Sequence, residues 1–188
     1  QNKDEQYTYI ESAKEKGYEV LLLDSPIIPH LMQKLESKKE KIKFSRVDSD
    51  TLENLIKKDE EVISKLTDEE KEKLKPMIET AVENEKYTVQ LEALDSNSMP
   101  FMLAQPEFMR RMKEMQQTGG GAMGNLPDMY SLIVNTNHEL VSKILNTRTE
   151  KKRNSLIKQS IDLAKLSQNS LTGKDLTEFI NRSIDLIK

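Results

Sequence analysis

The chain has 188 residues, enough for one ordinary domain or for one small domain with part of another. Its net charge is only −3 and the two signs are interspersed, so the sequence favours neither nucleic acid nor an anionic membrane as a partner. The absence of cysteine excludes disulfides, thiolate metal sites and cysteine nucleophiles. No apolar run approaches the roughly 18 residues that a membrane span needs.

The first third of the chain predicts alternating helices and strands. A helix over residues 1–16 should end at Gly17, a residue that commonly terminates helices. The apolar run 18–24 has the length of a buried strand, residues 25–35 predict a helix that begins with Ser-Pro, and 41–47 alternates like a half-buried strand. Two strands are too few for an independent fold, so we expect the end of a larger α/β domain. The chain also opens without methionine, which favours a fragment of a longer protein over a processed N-terminus.

A run rich in Lys, Glu and Asp separates two regions of different character. It extends over 57–75, and within it Thr67-Asp-Glu-Glu70 forms a capping box that should start a helix ending near residue 85. We interpret the run as a solvated helix face at a domain boundary. The predicted organisation is the end of one domain at 1–57, a linker at 58–66 and a second domain at 67–188.

The second domain is predicted to contain a small sheet followed by helices. A short helix at 106–117 and a glycine-rich loop at 118–124 should lie between its second and third strands. The predicted strands are 87–94, 99–103 and 129–134, and the later helices are 137–145, 149–166 and 172–188. The fold class is therefore α+β: the end of an α/β layer, then a three-stranded sheet with a bundle of helices.

The sequence contains no recognisable catalytic or metal site. Its two histidines, His30 and His138, have no partner at a metal-ligand spacing. The glycines at 119–121 follow a helix instead of joining a strand to one, which is not the arrangement of a phosphate loop. We therefore predict that the chain is not an enzyme and holds no cofactor or metal.

A methionine-rich segment is a candidate binding surface. Seven of the nine methionines fall between Met99 and Met129. Methionine is flexible and polarisable and suits surfaces that accept varied partners, and the glycine tract that follows the short helix cannot brace it. The alternative is that this apolar face packs on a core. The predicted contact residues are Phe108, Met109, Met112 and Met115.

The last two helices are candidates for joining two copies of the chain. Their apolar positions cover a wide arc, more than one neighbour would bury, and two such helices from each copy would form a four-helix bundle. The alternative, equally compatible with the periodicity, is that both helices pack on the sheet of their own chain. The predicted interface residues are Leu156, Ile157, Ile161, Leu163, Ala164, Leu176, Phe179, Ile180, Ile184 and Ile187.

Three stretches resemble the ninety-kilodalton heat-shock chaperone family. Residues 17–27, Gly-Tyr-Glu-Val-Leu-Leu-Leu-Asp-Ser-Pro-Ile, are similar to the end of that family's middle domain. Met99-Pro-Phe-Met102 and the segment 130–141 are similar to its C-terminal domain. In the last segment, Asn-x-Asn-His-x-Leu-Val stands where the family usually has Asn-Pro-x-His-x-Leu-Val, with Thr136 in place of proline.

The resemblance implies a role in an ATP-driven, homodimeric, cytoplasmic chaperone. ATP and magnesium would bind an N-terminal domain outside this chain. The family's last two helices dimerise, and its short amphipathic helix contacts unfolded or partly folded clients, which by position is the Met-rich helix here. The chain ends without the acidic Glu-Glu-Val-Asp tail, which implies the bacterial branch and no docking of tetratricopeptide co-chaperones. A dimeric adaptor or scaffold with no chaperone role is the alternative function.

Overall fold

Residue contacts divide the chain into two units, and the three-stranded sheet lies in the second. The computed structural model describes residues 6–25, 27–56, 62–82, 87–112 and 129–187. The first unit comprises Gln1–Lys57 with Gln105–Asp128, and the second Lys58–Ala104 with Met129–Lys188. The predicted α+β class, with one three-stranded sheet, is confirmed. None of the helices in these ranges is both long and apolar enough to cross a bilayer.

In the first unit, the described residues that have regular secondary structure are all helical. Its helices are α1 (Tyr7–Glu15), α2 (Ile28–Lys38) and α3 (Leu52–Leu55), and residues 107–112 are also helical. Gly17 adopts φ +81° directly after α1, and its N–H donates to the carbonyl of Lys14 at 2.8 Å. The predicted glycine stop is thereby confirmed, because a residue without Cβ adopts this left-handed conformation at little cost.

The two strands predicted for this unit are absent from its described residues. Both 18–24 and 41–47 are irregular, and Leu21, Leu22 and Leu23 are 73%, 60% and 48% exposed. A strand exists only through the hydrogen bonds of a paired neighbour, and neither segment has one in the described part of the unit. The prediction of a buried strand at 18–24 was therefore wrong, because an apolar run forms a strand only where a neighbouring strand can pair with it.

The second unit carries the sheet and the longer helices. The capping box is confirmed, since the Thr67 N–H donates to Glu70 Oε2 at 2.9 Å and the Glu70 N–H donates to Thr67 Oγ1 at 3.3 Å. The elements are α4 (Asp68–Val82), β1 (Tyr87–Glu92), β2 (Phe101–Ala104), β3 (Tyr130–Asn135), α5 (Glu139–Asn146), α6 (Glu150–Ser167) and α7 (Gly173–Ile187).

Strand β3 lies at the centre of the sheet. It pairs in parallel with β1, Tyr87 opposite Tyr130, and antiparallel with β2, Phe101 opposite Val134. Both of its faces are covered: Leu132 and Val134 belong to the main core, whereas Ile133 joins a smaller cluster on the other side. The main core includes side chains of α4, α5 and α6, so these helices cover one face of the sheet.

Candidate functional site

The predicted dimer-interface residues divide into two groups according to their burial. Ile157, Ile161 and Ala164 of α6 lie in the core of their own unit, and Phe179 of α7 is buried as well. Leu156 packs partly buried against the same core, and Leu176 is half-buried. A side chain that is fully buried in its own chain has no apolar surface left for a second copy. The alternative of intramolecular packing therefore applies to the first four.

The other group consists of exposed apolar side chains of α6 and α7, which we call the exposed stripe. On α7, the spacings of four and three residues place Ile180, Ile184 and Ile187 on one helix face. Leu166, which the interface prediction omitted, is also exposed on α6. The stripe consists of Leu163, Ile180, Ile184 and Ile187, which are 48%, 47%, 47% and 85% exposed.

Polar contacts fix α7 against α6 and leave this stripe exposed. Arg182 forms an ion pair with the buried Asp162, and its Nε donates to Gln159 Oε1 at 3.3 Å. Gln159 Nε2 in turn donates to Ser183 Oγ at 2.8 Å. Burial raises the pKa of the Asp162 carboxyl, although Lys165 and Arg182 oppose that rise. Arg182 thus attaches one side of α7 to α6, and Ile180 and Ile184 lie on the far side of the helix from it. Ser183 lies beside Ile180 and Ile187, at the edge of the exposed face.

The structure describes the Met-rich helix only in part. Residues 107–112 are helical, and within them Phe108 is 70% exposed while Met109 and Met112 are half-buried. Met115, the fourth predicted contact residue, lies outside the described residues. Contacts group this segment with the first unit, whereas the sequence analysis assigned it to the domain at 67–188.

An arginine on the polar side of this helix anchors it in the first unit. Arg111 Nη1 donates to Glu36 Oε2 at 2.8 Å, and Nη2 donates to the Phe44 carbonyl at 2.7 Å. Its Nε donates to Glu107 Oε1 at 2.8 Å, one turn earlier in the same helix. The Phe44 N–H donates to the other oxygen of Glu36, at 2.7 Å. The helix is therefore braced through α2 and the segment after it, by contacts that no local sequence pattern predicts.

The charges of this anchor stabilise one another. The hydrogen bond from Arg111 and the one from the Phe44 N–H lower the pKa of the Glu36 carboxyl. Burial raises the pKa of Glu107, but hydrogen bonds from Arg110 and Arg111 outweigh it and the net shift is downward. Hydrogen bonding to Glu36 raises the pKa of Arg111, which stays charged.

We expect Glu36→Gln to destabilise the chain by about 1 to 2 kcal/mol at neutral pH, because the charged hydrogen bonds to Arg111 are lost. A carboxyl with a lowered pKa in the fold contributes its full stabilisation above its ordinary value of 4.5. It loses that stabilisation as the pH falls through the lowered value. Urea unfolding should therefore distinguish the variant from the original chain at neutral pH but not in strong acid. Glu40→Gln, which removes an exposed carboxylate, is the control, and a difference that persists in acid would contradict the anchor.

Comparison with known proteins decides the family. No family model matches the chain. The chaperone protein HtpG of Bacteroides thetaiotaomicron is 33% identical over 255 aligned positions, which cover 99% of this chain and 37% of that protein. HtpG of Porphyromonas gingivalis is 39% identical over 170 positions, 88% of this chain and 25% of its own length. The chain belongs to the HtpG chaperone family. It spans between a quarter and two fifths of the length of these relatives.

The stretch that resembles the HtpG-family motif forms a buried polar cluster. Asn135 Oδ1 accepts the N–H groups of Leu94 at 3.2 Å and Asn137 at 3.0 Å, and its Nδ2 donates to the Asp95 carbonyl at 2.7 Å. Asn137 Oδ1 accepts the Lys65 N–H at 2.7 Å. These bonds join the end of β3 to the residues after β1 and to those before α4. The motif is therefore structural in this HtpG-family chain.

The departure from the usual motif also has a structural role. The Thr136 N–H donates to the Glu92 carbonyl at 2.8 Å, a bond that proline could not make. Thr136 Oγ1 accepts a hydrogen bond from Ser64 Oγ at 2.9 Å. His138 begins α5, where its Nδ1 accepts the Leu140 N–H at 3.0 Å. The helix was predicted to begin one residue earlier, at 137. Across the described residues, three or more His, Asp or Glu side chains nowhere converge as metal ligands.

Proposed function

We propose that this chain joins two copies of an HtpG-type chaperone and contacts its client proteins. Supporting the first role is one observation: four apolar side chains, the stripe on α6 and α7, stay exposed on helices that polar bonds fix to each other. Supporting the second is the exposed Phe108 on a braced helix. ATP and magnesium would be bound by other parts of the longer protein, as the relatives' greater length allows.

The free energy that burial of the stripe would contribute is compatible with a dimer. Burying a large apolar side chain contributes about 1.5–3 kcal/mol, so the eight stripe side chains of two copies, each about half exposed or more, supply at least roughly 6–12 kcal/mol. Association costs an estimated 4–15 kcal/mol in lost freedom of motion. The two ranges overlap, so contacts beyond the stripe, such as Leu166, contribute to the dimer in this proposal. Light scattering in the micromolar range is the test, with an expected mass twice the 21.7 kDa of one chain.

The client-contact role predicts a loss of binding without a loss of dimerisation. Changing Phe108, Met112 and Met115 to serine removes apolar contact area, and we expect affinity for a partly unfolded protein to fall by about tenfold. The mass should stay that of a dimer. Ile63→Ser with Met129→Ser, which alters exposed apolar side chains of the second unit, is the matched control. If the variant instead lost several kcal/mol of stability, the methionine face would be core and the client role would be excluded.

A further inference from the structure

We infer that the first unit carries a surface that selects acidic, partly apolar segments of client proteins. This inference rests on the proposed client contact and assigns a chemistry to it. The surface comprises the C-terminal half of α2, the turn that follows it, and the helical residues 107–112. Its cationic part, the lysine surface, is formed by Lys34, Lys38, Lys39, Lys41 and Lys43.

The lysine surface has an unbalanced positive charge. All five lysines are exposed, and none forms an ion pair with a described residue. Elsewhere in the same unit, Lys14 is paired with Glu11 and Lys16 with Glu53. Of the two carboxylates within 34–43, Glu36 is engaged by Arg111. Across the described residues of the surface, the five lysines, Arg110 and Arg111 against Glu36, Glu40 and Glu107 leave a net charge of +4.

Hydrogen bonds attach the helix that carries the exposed Phe108 to the lysine-bearing turn. Arg111, one helical turn after Phe108, contacts both Glu36 of α2 and the carbonyl of Phe44. The residues it contacts therefore lie on either side of the lysine-bearing turn. The Met-rich helix and the lysine surface are thus neighbours within one unit, and the contacts that hold them are themselves charged and partly buried.

Exposed apolar side chains share a helix face with the lysines of α2 and also lie between those of the turn that follows. Ile27 and Leu31 are exposed, and they precede Lys34 and Lys38 at spacings of four, three and four, which is one helix face. Ile42 is exposed between Lys41 and Lys43. Lysine can lay its methylene chain along an apolar contact while its ammonium reaches a carboxylate. A polypeptide that interleaves leucine-like and acidic residues fits this pattern.

A protein segment fits the surface better than nucleic acid or a membrane. Recognition of single-stranded nucleic acid relies on stacked aromatic rings, and only Phe108 is an exposed aromatic in this part of the described chain. A helix that lies in a membrane surface needs a broad apolar face. In α2 and the residue that precedes it, the exposed large apolar side chains are only Ile27 and Leu31.

The test measures, by fluorescence anisotropy, the affinity of two labelled peptides for the whole 188-residue chain. One consists of Leu-Ser-Glu repeats and the other of Leu-Ser-Gln repeats, so they differ only in charge. Changing four lysines to glutamine should weaken binding of the acidic peptide by about tenfold and leave the neutral peptide unaffected. The preference should also diminish at high salt. The substitutions are Lys34→Gln, Lys38→Gln, Lys41→Gln and Lys43→Gln.

A matched control exists in the second unit. Four exposed basic residues there also form no ion pair with described residues: Lys143, Arg148, Lys151 and Lys152. Changing all four to glutamine should leave the affinity for both peptides unchanged. Equal binding of the two peptides, or an equal loss in this control, would overturn the inference. So would tighter binding of an oligonucleotide or of phosphatidylserine vesicles than of the acidic peptide.

Phe108→Ser separates this inference from the proposed function. If Phe108→Ser weakens binding of both peptides while the lysine substitutions affect binding of neither, the client contact is supported and the acidic preference is excluded. If it affects neither peptide, or if neither peptide binds, the proposed client contact fails and the inference fails with it.

Discussion

Replacing Ile180 and Ile184 with aspartate is expected to convert a dimer of this chain into folded monomers. Both side chains are about half exposed in the single chain, so carboxylates there remain hydrated until a second copy approaches. In a dimer each copy would bring two carboxylates into an apolar contact. Leaving a buried charge unpaired costs about 3–5 kcal/mol at full burial. Even about 4 kcal/mol in total would raise the dissociation constant roughly a thousandfold, which light scattering would detect as a halved mass.

The control for this experiment uses equally hydrophobic positions in the other unit. Leu21→Asp with Leu22→Asp introduces the same charges at exposed leucines and should leave the mass unchanged. Far-UV circular dichroism of the α7 variant should match that of the original chain. An original chain that is monomeric throughout the micromolar range would refute the assembly role, as would an α7 variant that stays dimeric.

Periodicity located the apolar positions of α6 and α7 but could not say what covers them. Ile161 and Leu163 are two residues apart on the same helix, yet one is buried in its own unit and the other exposed. The difference depends on where the sheet and α7 lie, and on the pairing of Arg182 with Asp162 across the two helices. The ten predicted interface positions therefore mixed intramolecular core with exposed surface.

Motifs that involve only neighbouring residues predicted the structure more reliably than apolar periodicity did. The capping box at Thr67 and the glycine stop at Gly17 need only a few neighbouring residues, and both are present as predicted. The three strands of the second unit were also located within a few residues, because each carries apolar residues over the length of a strand and each has a partner in the chain. The run 18–24 has the same apolar character without a partner, and it is no strand in the structure.

The position of the Met-rich helix depended on contacts far apart in sequence. Arg111 and Glu36 are separated by 75 positions, and no local pattern indicates that they meet. The sequence therefore suggested an unbraced helix in the second domain. Only the structure shows that α2 and the segment around Phe44 hold it in the first unit.

Asn135→Ala is expected to destabilise the second unit by about 4 kcal/mol. Its side chain is fully buried and accepts the N–H groups of Leu94 and Asn137, both in buried positions. Alanine would leave these two donors unpaired at about 1–3 kcal/mol each, and it would also remove the bond to the Asp95 carbonyl. Urea titration should show a lower midpoint with an unchanged slope.

Asn146→Ala is the control that isolates burial from residue type. Asn146 is exposed at the end of α5 and, among the described residues, its side chain donates to the Ser142 carbonyl alone, so its loss should change stability by less than about 0.5 kcal/mol. If the two alanine variants proved equally stable, water would be replacing the amide of Asn135 and the polar cluster would not hold β3 in place. A large difference would instead mean that the HtpG-like motif positions β1, β3 and α5 relative to one another. The exposed stripe on α6 and α7 would then depend on this cluster, since α6 packs on the same core.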